Sequence, residues 1–189
     1  MSEGIALPPL DRLDRLDRPD TARGELLPEP VRLERLDVAL PQILAAVENE
    51  TDPIVIQATL SSLIWETLLQ TSWVGFYRRV APTTLRVGPY QGPMGCLRIE
   101  FARGVCGACA RTNTTQLVPD VRIFPGHIAC DDATLSELVL PVRDGEGRVQ
   151  AVFDLDARVL DGFSQAEATR LETLLSRAFP KSVLWPTWD

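Results

Sequence analysis

The segment SELVLPVRDGEGRVQAVFDLDA, residues 136–157, constrains the fold more than any other stretch. Two strand-like runs, SELVLPV and RVQAVFDLDA, flank Asp144-Gly145 and Gly147, the turn chemistry of a β-hairpin with a slightly long turn. Strand alternation sorts the second run by face. Asp154 and Asp156 fall on one side, Phe153 and Leu155 on the other.

The rest of the chain supplies helices around further strands. ALPQILAAVENE has helical spacing through Leu40, Ile43, Leu44 and Val47. Asp52 followed by Pro53 reads as an N-cap and first-turn proline, opening a helix that runs to about Leu69. SWVGFYRRV then alternates, with Trp73, Gly75 and Tyr77 on one face and Val74 and Phe76 on the other. TTLRVGPY and CLRIEF read as strands, GVCGACART as a short helix, and TQLVPDV as a strand up to its proline. Ser164 and Glu167 form a capping box before a helix carrying Leu171, Leu174, Leu175 and Ala178 on one side. The expected fold is α+β, a mostly antiparallel central sheet covered by helices. Residues 31–180 are the expected domain. Residues 1–30, rich in proline and charge, read as a mobile N-terminal extension, and 181–189 as an unassigned C-terminal tail.

The chain's 189 residues suffice for one well-buried domain and are short for two. Its net charge of −7 argues against nucleic-acid partners. No apolar run reaches the ~18 residues of a membrane span, and the N-terminus lacks the basic start and apolar core of a secretory signal. The expected location is the cytoplasm, where cysteines serve as working thiols or metal ligands rather than structural disulfides. GxGxxG, GxxxxGK[ST] and GxSxG are all absent, and the single histidine rules out most multi-histidine metal sites.

Three constellations carry chemistry. Cys106-x2-Cys109 with His127-x2-Cys130 has the spacing of a three-cysteine, one-histidine zinc site. The same cysteines also suit thiol redox chemistry, since Cys106 stands at a helix start, where backbone N–H groups depress a thiol pKa, and Cys130 follows PGHIA in a loop. The third is acidic. Asp154 and Asp156 side by side, with Glu137 converging from the neighbouring strand, need a cation or a shared proton. Such a group can bind an ammonium or keep one carboxyl protonated as an acid, with Trp73 and Tyr77 as walls. His127 reads as a hydrogen-bonding loop residue that orders the segment before Cys130.

Taken in order, WVGFY, VGPYQGPMGC, GVCGACA, FPGHIACD, SELVLPV and DLDA resemble the free methionine-(R)-sulfoxide reductases, single GAF domains that act on the free amino acid. The resemblance covers roughly residues 40–178. It implies Cys130 as the nucleophile, Cys96 as the resolving thiol, Cys106 as a secondary resolver, and a substrate pocket of Trp73, Tyr77, Glu137, Asp154 and Asp156. It further implies a homodimer, recycling by thioredoxin, and no metal or organic cofactor. Cys109 stands where the family has a small non-thiol residue and inherits no role. Tyr90 stands where phenylalanine is common. A non-catalytic GAF sensor and a zinc-stapled structural domain are the alternative readings.

Overall fold

The computed structural model describes residues 24–127 and 131–186. Among the described residues four α-helices, α1 (Glu29–Ala46), α2 (Pro53–Thr67), α3 (Gly104–Thr112) and α4 (Gln165–Ala178), surround six strands. The strands are β1 (Thr71–Ala81), β2 (Thr84–Gln91), β3 (Arg98–Glu100), β4 (Gln116–Val118), β5 (Ser136–Arg143) and β6 (Val149–Ala157). They form one sheet of order β3-β2-β1-β6-β5-β4, antiparallel throughout. The expected α+β architecture is therefore what the chain adopts. Among the described residues no helix is long and apolar enough to cross a membrane.

The expected hairpin forms, with Glu137 opposite Asp156 and Leu138 opposite Leu155. In its turn Gly147 takes φ +80° and donates its N–H to the Asp144 carbonyl at 3.0 Å. Helix starts follow their signals. Asp52 accepts from the Ile54 N–H at 2.8 Å with Pro53 in the first turn, and Ser164 and Glu167 cap each other reciprocally.

One face of the sheet packs against α1, α2 and α4. Val74, Phe76, Leu138, Leu140, Phe153 and Leu155 point into that core, where Phe76 and Phe153 stack at 4.4 Å. The opposite face carries α3 and the connecting loops, and its cluster includes Trp73, Tyr77, Val105, Cys106, Cys109, Val139 and Val152.

Three expectations need correction. Helix α1 begins at Glu29, not near Ala39, because Arg32 and Arg35 occupy core-facing positions ahead of Leu36, Ala39 and Ile43. Arg32 makes a two-pronged ion pair with Glu167 (2.9 and 3.0 Å), and Arg35 donates to the Thr67 carbonyl at 2.8 Å, so both charges are satisfied where an apolar count sees none. Strand β3 is limited to Arg98–Glu100, which leaves Cys96 in the loop 92–97. Part of the segment expected as a tail folds back: Val183 is buried and Trp185 stacks on Phe179 at 5.5 Å.

Candidate active site

On the α3 face the alternation of three neighbouring strands delivers side chains to one cavity. Asp156 pairs across the sheet with Trp73 on one side and Glu137 on the other, while Asp154 lies between Gly75 and Val139. Cross-strand neighbours on one face sit about 5 Å apart, so the three carboxyls form a patch with aromatic groups beside it. From above, α3 contributes Cys106. The cavity is lined by Trp73, Tyr77, Cys106, Glu137, Asp154 and Asp156, with loop residues from 93–95 and from His127, Asp131 and Thr134 at its rim.

Two glycines let the aromatic wall form. A Cβ at Gly75 would lie 2.3 Å from Tyr90 Cβ and 2.7 Å from the Trp73 ring, so WVGFY needs its glycine for Tyr90 to stack on Trp73 at 5.2 Å. A Cβ at Gly95 would come within 2.9 Å of the Tyr77 hydroxyl. Trp73 also stacks on Tyr77 at 5.5 Å and donates its indole N–H to the Pro93 carbonyl at 3.1 Å. That bond ties the cavity wall to the loop carrying Cys96.

Burial governs the electrostatics. No Lys or Arg stands among the described lining residues. Glu137 is held well above the usual carboxylate range by burial, then by the charges of Asp154 and Asp156. Asp156 is raised by burial and by Asp154 and Asp131, with an opposing hydrogen bond from Thr134. Burial raises Asp154 to about 7, against bonds from Cys106 and Glu137. Near neutral pH the cluster therefore keeps carboxyl protons, and a cation entering it would displace one. Tyr77 stays a neutral phenol for the same reason, burial first and Asp154 next.

The cysteines separate by environment. Cys106 lies only three residues into α3, yet burial pushes its thiol well above the ordinary value, and Asp154 and Glu137 push it further. The expectation of a depressed pKa at this helix start is thus corrected: facing carboxyls and desolvation outweigh the backbone N–H groups. Its Sγ lies 3.9 Å from Glu137 Oε1. Cys109, fully buried, is likewise raised, by burial and Asp154. Cys96 is disulfide-bonded, whereas Cys106 and Cys109 are free. Cys130 lies outside the described residues.

His127 stands at the cavity rim, and the segment it is expected to order, 128–130, lies outside the described residues. Its backbone N–H donates to the Phe124 carbonyl at 3.1 Å, its Nδ1 is buried without a hydrogen-bond partner among the described residues, and burial lowers its pKa, so it lines the cavity as a neutral ring. Nor do Cys106, Cys109 and His127 bring their ligand atoms within 4.8 Å of one another, as a zinc staple requires; the described group that does so is Cys106, Glu137 and Asp154. Sequence reasoning missed Asp131, Thr134 and the stacking role of Tyr90. Asp131 was visible inside FPGHIACD, but Thr134 carried no signal of its own.

The chain matches no family model. Similarity to individual proteins is strong. It is 39% identical over 145 residues to the free methionine-R-sulfoxide reductase of Saccharomyces cerevisiae, covering 71% of this chain and 81% of that protein. It is 38% identical over 133 residues to the Escherichia coli protein of the same name, covering 70% and 79%. This chain belongs to the free methionine-R-sulfoxide reductase family. The structure of the Neisseria meningitidis reductase in complex with its substrate superimposes with TM-score 0.73 at 35% identity, covering 78% of this chain and 87% of that one. As a member of that family the chain has the GAF fold.

Proposed function

We propose that this chain reduces free L-methionine (R)-sulfoxide to methionine, with Cys130 as nucleophile and Cys96 as resolving thiol. The observation that carries the reading is the cavity itself. Two buried carboxyls, Glu137 and Asp154, and the half-buried Asp156, without a described Lys or Arg beside them, face an aromatic wall. A zwitterionic amino acid supplies the missing cation through its α-ammonium, and Trp73 offers an apolar surface to its S-methyl group.

Cys130 attacks the sulfoxide sulfur as thiolate, and a neutral carboxyl of the Glu137/Asp154/Asp156 cluster protonates the sulfoxide oxygen. Methionine leaves and the oxygen remains on Cys130 as a sulfenic acid. The Cys96 thiol displaces it as water, closing a disulfide. An external dithiol, thioredoxin, then reopens the disulfide by exchange. That Cys96 is the disulfide-bonded cysteine and Cys106 a free, high-pKa thiol supports Cys96 as first resolver, with Cys106 as the secondary one. The cycle requires no metal or organic cofactor. A cytoplasmic location and a homodimer accompany this reading.

The test is an assay on the separate epimers of free methionine sulfoxide with thioredoxin as reductant. Consumption of the R epimer alone, lost to background in Cys130→Ser, is the expected result. Turnover of the S epimer at a comparable rate would overturn the substrate assignment. Substantial activity in Cys130→Ser would overturn the nucleophile.

A further inference from the structure

Cys106, Glu137 and Asp154, which the proposed reaction uses for proton transfer, substrate binding and secondary resolution, also form a set of convergent metal-donor groups. One ligand atom from each lies within 4.8 Å of the other two, and all three residues are buried. A second observation points to a missing ligand. Asp154 is 5% exposed and lines the cavity, yet its Oδ1 has no hydrogen-bond partner among the described residues. Buried acceptors are left unsatisfied only at a cost of roughly 1–3 kcal/mol, so an oxygen in this position is ready to accept a ligand that enters.

We propose that Cys106, Glu137 and Asp154 form a Zn2+ site within the cavity, filled in competition with the substrate. One thiolate and two carboxylates match zinc's preference for four ligands of mixed softness. Mg2+ and Ca2+ ask for six or more oxygens, which the group does not offer. Zinc–sulfur and zinc–oxygen bonds of about 2.3 and 2.0 Å set a tetrahedral S···O separation of about 3.5 Å. The Cys106 Sγ to Glu137 Oε1 distance of 3.9 Å needs to close by only a few tenths of an ångström.

On binding, the Cys106 S–H bond is replaced by S–Zn and its proton passes to solvent, with no change of oxidation state. The fourth position faces the cavity, whose free volume of about 40 Å³ accommodates a water ligand. The ion takes no part in sulfoxide reduction; it occupies carboxyls that the substrate's ammonium would use. That competition rests on the substrate assignment above, whereas the metal site itself does not.

The experiment is calorimetric titration of Zn2+ into the full-length chain with its Cys96 disulfide intact, followed by Co2+ substitution. Expected are one ion per chain, release of protons, and a thiolate-to-Co2+ charge-transfer band. Cys106→Ser and Asp154→Asn each weaken binding by at least about tenfold, on the scale of losses seen when metal sites are perturbed, while Cys109→Ser leaves it unchanged. Absence of the charge-transfer band in the wild-type chain overturns the proposal even if the variants misfold. So does zinc affinity that survives Cys106→Ser or is lost in Cys109→Ser. Free methionine (R)-sulfoxide should raise the apparent Zn2+ dissociation constant. Zinc bound through Cys106 without that competition would leave the metal site standing and move the substrate elsewhere.

Discussion

The two faces of the sheet are built from the same strands and behave as opposite materials. Phe153 and Asp154 are adjacent in β6 and both buried, at 0% and 5% exposure. Phe153 stacks on Phe76 under the helices; Asp154 lies beneath Cys106 with one oxygen unpartnered among the described residues. The helix face gains stability from each group it buries. The α3 face holds carboxyls where water would solvate them better, and stability is given up there for a site that favours a proton or a cation. Burial alone therefore says little about a residue's contribution; the partners waiting at the buried end decide its sign.

Neighbouring substitutions break the comparison most directly. Phe153→Ala should destabilise the fold by about 3–5 kcal/mol, the range for a buried phenylalanine, read by urea denaturation. Asp154→Asn, one residue along, should leave stability unchanged or raised at pH 7.5, because a desolvated charge is removed. Its turnover should fall by about 10²-fold, the scale of a lost acid–base or binding group. Equal loss of stability in both variants would show that the α3 face is ordinary core.

A weaker effect is expected from pH. The carboxyls of Glu137, Asp154 and Asp156 are raised in the folded chain. The folded state therefore keeps protons that the unfolded chain has released, and stability is lost as pH rises from the unfolded value of about 4 towards the folded one, about 7 for Asp154. His127, lowered by burial, acts in the opposite direction, since its contribution is lost as pH falls. It is one group against three. Melting temperature should thus decline between pH 5 and pH 7.5, and the slope should flatten in Asp154→Asn. A melting temperature that rises across this window would count against three protonated carboxyls in the cavity.

The smallest effect belongs to Cys109. It is buried in the α3-face cluster and absent from the cavity lining. Cys109→Ser should cost about 1–3 kcal/mol for a newly buried hydroxyl while leaving kcat/KM for the R epimer unchanged. Loss of turnover without loss of stability would give Cys109 the role that its sequence position denies it.

Much of this organisation is local, and local patterns survive reading without coordinates. A strand's period of two put Asp154 and Asp156 opposite Phe153 and Leu155, and placed Trp73 and Tyr77 together. The Asp52–Pro53 and Ser164–Glu167 caps marked two helix starts because their bonds close within a few residues. The start of α1 was illegible for the opposite reason. Arg32 belongs in the core only because Glu167, 135 residues away in sequence, meets it there.

The sequence by itself thus determined the hairpin, the two chemistries of β1 and β6, and the family. Tertiary structure alone decided that Cys106 of GVCGACA sits above Glu137 and Asp154 as a protonated thiol, apart from any zinc set with Cys109 and His127. Periodicity is a property of neighbouring residues. Desolvation is a property of whatever distant elements pack around a group, and a thiol's charge answers to the second.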